Sequence, residues 1–207
     1  MNSSGSRRHV WRCCEKEFVS RGALDVALLR LQVAPLNVLL QPLDPVLSPT
    51  GTACGDPVVC VGFSLVGPAA APDAPLVFGG VVARVVPGSQ ACGLPNRRPL
   101  MLLSSCAVHE GASGGAIVCA RTGRLVALPT SNARPAEKCF RWEPGAAGPL
   151  PTLNFSIPAP AIAVVFAYAR GEATLRELQA ELNGNDQEMA SVWALNGDQP
   201  VVAASRL

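Results

Sequence analysis

Three features of this sequence predict an all-β core followed by a short helical segment. Nineteen glycines and nineteen prolines punctuate the chain. The stretches between them are short Val/Leu/Ala runs of the kind that form closely spaced strands. Helical spacing of leucines appears only after Pro158. With 49% hydrophobic and 15% charged residues in 207, the chain can bury one sizeable core, and such a composition is far from that of a disordered segment.

The first 22 residues are polar, charged and weakly patterned, and read as an irregular N-terminal segment (1–22). From Gly22 the pattern changes, and Ala23–Leu31 reads as a strand. Pro-rich connectors between Pro35 and Pro49 lead to a β-rich run, Pro57–Leu65, closed by Gly67-Pro68. Further strands are expected at Leu76–Val86 and Leu100–Ser105. Ala116–Cys119 and Leu125–Leu128 flank Arg121-Thr122-Gly123 as the two arms of a hairpin. A polar, Pro/Gly-rich excursion, Asn132–Pro151, precedes a strand at Leu153–Pro158. A helix is expected to begin within Ala159–Ala169. Glu172–Leu182 places Leu175, Leu178 and Leu182 on one face with charges between them, an amphipathic helix. A second short helix is expected at Gln187–Leu195, ahead of an extended tail released by Gly197 and Pro200. The organisation read from this is a core domain over residues 23–169 and a C-terminal helical segment and tail over 170–207.

A net charge of +2 without a clustered Lys/Arg face argues against nucleic acid as a partner. Every apolar run is interrupted by Gly, Pro or charge before it could span hydrocarbon, so no membrane association is expected. The basic residues near the N-terminus are not followed by an apolar stretch, so no secretory signal is read and a soluble intracellular protein is expected. The eight cysteines, at 13, 14, 54, 60, 92, 106, 119 and 139, include no CxxC pair and no histidine at finger spacing. They are read as reduced thiols, several of them buried as small hydrophobes. Neither a metal nor a cofactor is implied.

The chemically loaded segment is Gly111-Ala112-Ser113-Gly114-Gly115. Its glycines let the backbone turn sharply and bring N–H groups close to a substrate carbonyl. In α/β-hydrolases such a serine lies between a strand and a helix, and the catalytic histidine follows it in the chain. Here no histidine follows Ser113, and the next elements read as a hairpin, which excludes that fold. In chymotrypsin-like enzymes the histidine and aspartate come first and Gly-x-Ser-Gly-Gly last. Asp25, in Leu24-Asp25-Val26-Ala27-Leu28-Leu29, resembles the segment that supplies the triad carboxylate in those proteases. Leu128-Pro129-Thr130-Ser131-Asn132-Ala133 and Leu153-Asn154-Phe155-Ser156-Ile157-Pro158 resemble the substrate-pairing strand and closing strand of HtrA-like proteases. With Gly55-Asp56-Pro57-Val58 and Val61-Gly62-Phe63, these segments occur in the order seen in the trypsin-like proteases of the peroxisomal matrix. The resemblance covers roughly residues 23–169 and the tail.

That resemblance implies a chymotrypsin-like double β-barrel and a serine endopeptidase. Ser113 would be the nucleophile, Asp25 would orient and charge-stabilise a histidine, and the N–H groups of Gly111 and Ser113 would form the oxyanion hole. Thr130, Ser131 and Asn132 would pair with substrate backbone. Two departures from trypsin bear on this. Ala112 replaces the aspartate that secreted zymogens pair with a liberated N-terminus, so that activation switch is unavailable. Ala107 stands where trypsin keeps its Lys/Arg-binding carboxylate, so a small or neutral P1 side chain is expected. His109 is assigned to the lining of the substrate pocket.

The base is the gap in this reading. The chain holds two histidines, His9 and His109, and only His9 precedes Asp25. It does so by 16 residues, a short interval for a domain in which strands of the first barrel separate the two. The first barrel is therefore expected to be incomplete and the chain, alone, weakly active or inactive. Ser205-Arg206-Leu207 matches the small–basic–leucine pattern of the Ser-Lys-Leu peroxisomal address. The resemblance then implies the peroxisomal matrix, an import receptor as one partner and imported matrix proteins as substrates trimmed at leaders or internal sites. A second reading stays open: a catalytically silent protease-like module that binds extended peptides along Thr130–Asn132 or self-associates.

Overall fold

A computed structural model describes residues 14–31, 43–47, 50–63, 75–88, 98–108, 111–133, 150–183 and 186–193. The chain divides into two compact units, Met1–Pro42 with Val164–Asp186, and Leu43–Ala163 with Gln187–Leu207.

The second unit is a closed barrel of six strands: β3 (Pro57–Gly62), β4 (Leu76–Pro87), β5 (Pro99–Ser104), β6 (Ala116–Cys119), β7 (Leu125–Ala133) and β8 (Leu150–Pro158). Their order around the barrel is β3-β4-β5-β8-β7-β6, closed by β6 on β3, and every pairing is antiparallel. Closure removes the exposed edges that an open sheet of such apolar strands would present. β3 alternates strictly, with Val58, Cys60 and Gly62 inward, as the period of two requires. Prolines lack a ladder donor, and here they sit where none is needed. Pro57 and Pro99 open their strands, Pro87 and Pro158 close theirs, and Pro129 stands at a register shift between β7 and β8. The core gathers Val46, Val58, Val82, Leu102, Ile117 and Val126 around the buried thiols of Cys60 and Cys106. Burial, and then the neighbouring Cys106, push the Cys60 thiol up to about 11, and burial raises that of Cys106 as well.

The sequence-expected strands at Leu76–Val86, Leu100–Ser105, Ala116–Cys119 and Leu153–Pro158 all appear, and the hairpin arm from Leu125 runs on to Ala133. At its tip Arg121 pairs with Asp56 at 2.9 Å and Arg124 with Asp44 at 2.8 Å. After β8 the chain makes a 3₁₀ turn, Ala159–Ile162, burying Ala159, Ala161 and Ile162. The last helix of this unit is α3 (Gln187–Trp193); Met189 is buried, and Trp193 Nε1 donates to the Leu100 carbonyl at 3.0 Å.

The first unit is a two-stranded antiparallel sheet, β1 (Cys14–Val19) with β2 (Ala27–Leu31), together with α1 (Ala163–Ala169) and α2 (Leu175–Asn183). Its apolar interior holds Phe18, Leu24, Val26, Val164, Val165, Leu178 and Leu182. A sheet this small is marginal unless a helix covers it. Here Ser20 Oγ donates to the Leu182 carbonyl at 3.0 Å and the Arg21 N–H donates to Asn183 Oδ1 at 2.7 Å. Glu17 accepts from the Tyr168 hydroxyl at 2.6 Å and from Arg30 at 2.6 Å. The tyrosine bond first, and Arg30 with it, hold the Glu17 carboxyl below its ordinary range, while Glu17 raises Tyr168. A capping box starts α2: Thr174 N–H donates to Glu177 Oε2 at 2.7 Å, and Thr174 Oγ1 accepts the Glu177 N–H at 3.3 Å. Two sequence readings change here. Cys14–Val19, read as part of an irregular segment, is a strand, and the strand read from Ala23 begins at Ala27, which leaves Asp25 in the connection before it.

Candidate active site

Ser113 stands at the tip of a tight turn between the segment after β5 and the start of β6. The Gly115 N–H donates to the Ala112 carbonyl at 3.0 Å. Ser113 and Gly114 are thus the two central residues, and Gly114 has φ of 78°, the positive value that a type II turn places at its third position. Gly111 has φ of 91°, which a residue bearing a Cβ adopts only under strain. The turn also lies hard against β3: a Cβ at Gly115 would fall 2.4 Å from the Val61 carbonyl oxygen. Ala112 is the turn's anchor, 1% exposed and part of the barrel core. The sequence around Ser113 therefore has one apolar residue pinned inward and small residues elsewhere, which pushes the hydroxyl outward.

Strand β7 runs past this turn. Its pairing with β6 ends at Ala127, whereas its pairing with β8 continues to Ala133. On the side left by β6, the Gly114 N–H donates to the Pro129 carbonyl at 3.0 Å and Ser113 Oγ donates to the Thr130 carbonyl at 2.5 Å. Thr130 Oγ1 in turn donates to the Phe155 carbonyl at 3.0 Å, fixing β7 on β8. Ser113, Gly111 and the Thr130 segment, singled out separately in the sequence, thus converge at one corner of the barrel. Among the described residues neither the Gly111 nor the Ser113 N–H donates to a backbone carbonyl. Such a pair of unspent donors beside a hydroxyl can hold the negative oxygen of a tetrahedral intermediate.

The segment leading to the turn is held from below by a buried polar cluster that the sequence reading passed over. Asn154, fully buried in β8, donates from Nδ2 to the Cys106 carbonyl at 2.9 Å. Its Oδ1 accepts from Ser104 Oγ at 2.9 Å and from Ser156 Oγ at 3.1 Å. Ser104, Asn154 and Ser156 are the buried polar side chains among the described residues. Asn154 and Ser156 share one face of a strand. Alternation with Leu153, Phe155 and Ile157 would ordinarily turn that polar face to water.

Asp25 belongs to the other unit. It is exposed, between buried Leu24 and Val26, in a short turn where the Val26 N–H donates to the Leu24 carbonyl at 3.1 Å. Ala107 is half-buried between Cys106 and Val108, both buried. Ser131 and Asn132 lie on β7, and their side chains are outside the described set. His9, His109 and the terminal Ser205-Arg206-Leu207 also lie outside the described residues. No group of three His, Cys, Asp or Glu side chains among the described residues could hold a metal ion.

A closed antiparallel barrel with a Gly-x-Ser-Gly-Gly turn at one corner, beside a stretch of strand that runs on past its neighbour, is the architecture of a chymotrypsin-like serine peptidase. A family model, the trypsin-like peptidase domain, matches residues 4–128, and the chain belongs to that family. Among curated proteins it is 30% identical to the peroxisomal leader peptide-processing protease of Mus musculus over 153 residues, 74% of this chain and 24% of that one. To the protein of the same name from Homo sapiens it is 30% identical over 152 residues, 73% of this chain and 23% of the relative. The chain thus spans about a quarter of the length of these relatives. Among solved structures it is similar to the HtrA-type protease AlgW with decapeptide. The TM-score is 0.49 and the identity 21%, over 81% of this chain and 47% of that one.

Proposed function

We propose that this chain carries the serine-bearing half of a trypsin-like endopeptidase of the peroxisomal matrix, which removes leader peptides from imported proteins. The observation that carries the reading is the Ser113 corner: an exposed hydroxyl beside two N–H groups that donate to no backbone carbonyl among the described residues, next to the stretch of β7 that β6 leaves. A substrate strand laid along Thr130–Asn132 would present its scissile carbonyl to Ser113 Oγ. Attack forms the Oγ–carbon bond, the carbonyl oxygen becomes an anion held by the Gly111 and Ser113 N–H groups, and the serine proton passes to a base. Ala107 leaves the P1 side chain without a charged partner, which suits small or neutral residues. Asp25 is assigned to the orientation of the histidine. The curated relatives' names and the terminal Ser205-Arg206-Leu207 together support the peroxisome and a receptor that reads the tail.

The chain's own histidines are His9 and His109, and we assign the base to neither; alone, the chain is a weak or silent enzyme. One observation favours the second reading, a peptide-binding or self-associating module: the Ser113 hydroxyl donates its hydrogen bond to the Thr130 carbonyl rather than to a base. A fluorophosphonate probe separates the two. Slow labelling of wild type that disappears in Ser113→Ala supports the nucleophile. Labelling of wild type as fast as that of an intact serine protease would show that the chain has its base after all, and equal labelling of the two proteins would remove Ser113 from the chemistry. Peptide cleavage by the same pair, with and without an added N-terminal portion bearing a histidine, measures how much a base in trans or in cis supplies.

A further inference from the structure

Away from the Ser113 corner, the smaller unit holds a groove that the peptidase reading leaves without a role. It has a volume of about 510 Å³ and is lined from β1 by Glu17, from β2 by Leu28, Leu29 and Arg30, and from α1 and the residues after it by Tyr168 and Ala173, among others. That volume is within the range of sites that hold small molecules. Its polar end is built around one arginine. Arg30 donates from Nε to Glu17 Oε2 at 3.0 Å and from Nη2 to Glu17 Oε1 at 2.6 Å. This side-on fork fixes the plane of the guanidinium. The Tyr168 hydroxyl donates to Glu17 Oε1 at 2.6 Å, so both carboxylate oxygens are engaged and the fork is tied to α1. Among the described residues the Nη1 group of Arg30 and the second hydrogen of Nη2 make no hydrogen bond. The Arg30 side chain is 67% exposed and that of Glu17 only 17%. The charge that a ligand meets in the groove is therefore positive.

The rest of the lining is apolar: leucines and alanines with one glycine, Leu29 being 53% exposed. Those side chains offer nothing to the amide groups of a peptide, and Glu17 and Tyr168 are already paired with each other. We propose that the groove binds an aliphatic carboxylate, its head end-on against the outer edge of Arg30 and its chain along Leu28, Leu29 and Ala173. Arg30 would then bridge two carboxylates, which its planar array of donors allows. Glu17 sets the guanidinium in place before the ligand arrives, so little freedom is lost when the head binds. Neither half of such a ligand suffices alone: an alcohol gives Arg30 no charged partner, and a carboxylate without a chain leaves the leucines exposed.

The test uses the full chain labelled with 3-fluorotyrosine. Tyr168 is the single tyrosine, so the fluorine NMR spectrum has one protein resonance and it reports the groove. Sodium octanoate, kept below its micelle concentration, is expected to shift that resonance saturably. Octanol should bind at least about tenfold more weakly for want of the charge-assisted pair, and acetate should give no saturable shift. From butyrate to octanoate each methylene should tighten binding by up to about fourfold. Arg30→Gln should weaken octanoate by at least about tenfold, with part of the loss regained in Arg30→Lys. Ala173→Leu fills the groove without touching the ion pair and should abolish the response. The proposal is overturned by the lack of a saturable shift in wild type, by octanol binding as well as octanoate, by indifference to chain length, or by unchanged binding in Arg30→Gln. Should thermal melting show Arg30→Gln unfolded, Ala173→Leu decides, and undiminished octanoate binding there overturns the site. A leucine-terminated peptide with a free carboxylate that binds more tightly than octanoate would also overturn it, by reassigning the groove to chain ends.

Discussion

The unit that carries Ser113 and the unit that carries Asp25 are held together by different means. In the barrel, backbone ladders close on themselves and the interior is, among the described residues, apolar but for three hydrogen-bonded polar side chains. In the smaller unit two strands depend on α1 and α2, more than 130 residues later in the chain, through Ser20, Arg21 and Glu17. The nucleophile is built on a scaffold that closes its own hydrogen bonds. The proposed carboxylate is built on one that requires its C-terminal helices to fold with it. Damage to the helices should therefore fall on the smaller unit.

The largest effect that would expose this contrast comes from Leu178, fully buried in α2. Leu178→Ala should cost about 2–5 kcal/mol. In hydrogen exchange the loss of protection should fall on β1, β2 and α2, with the amides of β3 and β7 unaffected. Equal loss in the barrel would mean that the two units fold as one. A smaller effect is expected from the cap. Thr174→Ala removes the side-chain partner of the Glu177 N–H and should cost about 1 kcal/mol, read as a lower denaturant midpoint for the helical signal.

The smallest effect is the most specific. Tyr168 is the chain's single tyrosine, so phenolate absorbance reports its titration alone. Because Glu17 raises the Tyr168 hydroxyl above its ordinary value, the stabilisation it gives is present below that ordinary value and lost as pH climbs through the folded one. The Glu17 carboxyl is lowered, so its contribution is present above the ordinary carboxylate range and lost as pH falls through its folded value. The smaller unit should thus weaken at both ends of the pH scale. In Glu17→Gln the Tyr168 midpoint should fall back toward about 10, and an unmoved midpoint would break the link between β1 and α1.

The barrel was legible because its strands obey the period of two between glycines and prolines; β3, β4, β5 and β6 were read nearly to their ends. α2 was legible from its leucines, although of the three only Leu178 and Leu182 are buried, Leu175 being 41% exposed. β1 was not legible. Cys14-Glu15-Lys16-Glu17-Phe18-Val19 carries three charges in six residues, and Glu17 is accommodated by a tyrosine 151 residues away, a partner no local pattern announces. The Ser113 turn could be read from its glycines, each placed by a turn or a close approach. Asn154 could not, because its inward direction is decided by hydrogen-bonding partners on β5 and in the segment after it rather than by its own neighbours in sequence.

The buried thiols in the barrel give it a built-in clock. Cys60 and Cys106 are fully enclosed, and with the Cys60 thiol held up to about 11 it has almost no thiolate to offer a reagent at neutral pH. Alkylation of these sulfurs must therefore wait for the barrel to open. Their labelling rate, compared with that of the exposed Cys54 in the same molecule, counts how often the platform beneath Ser113 comes apart.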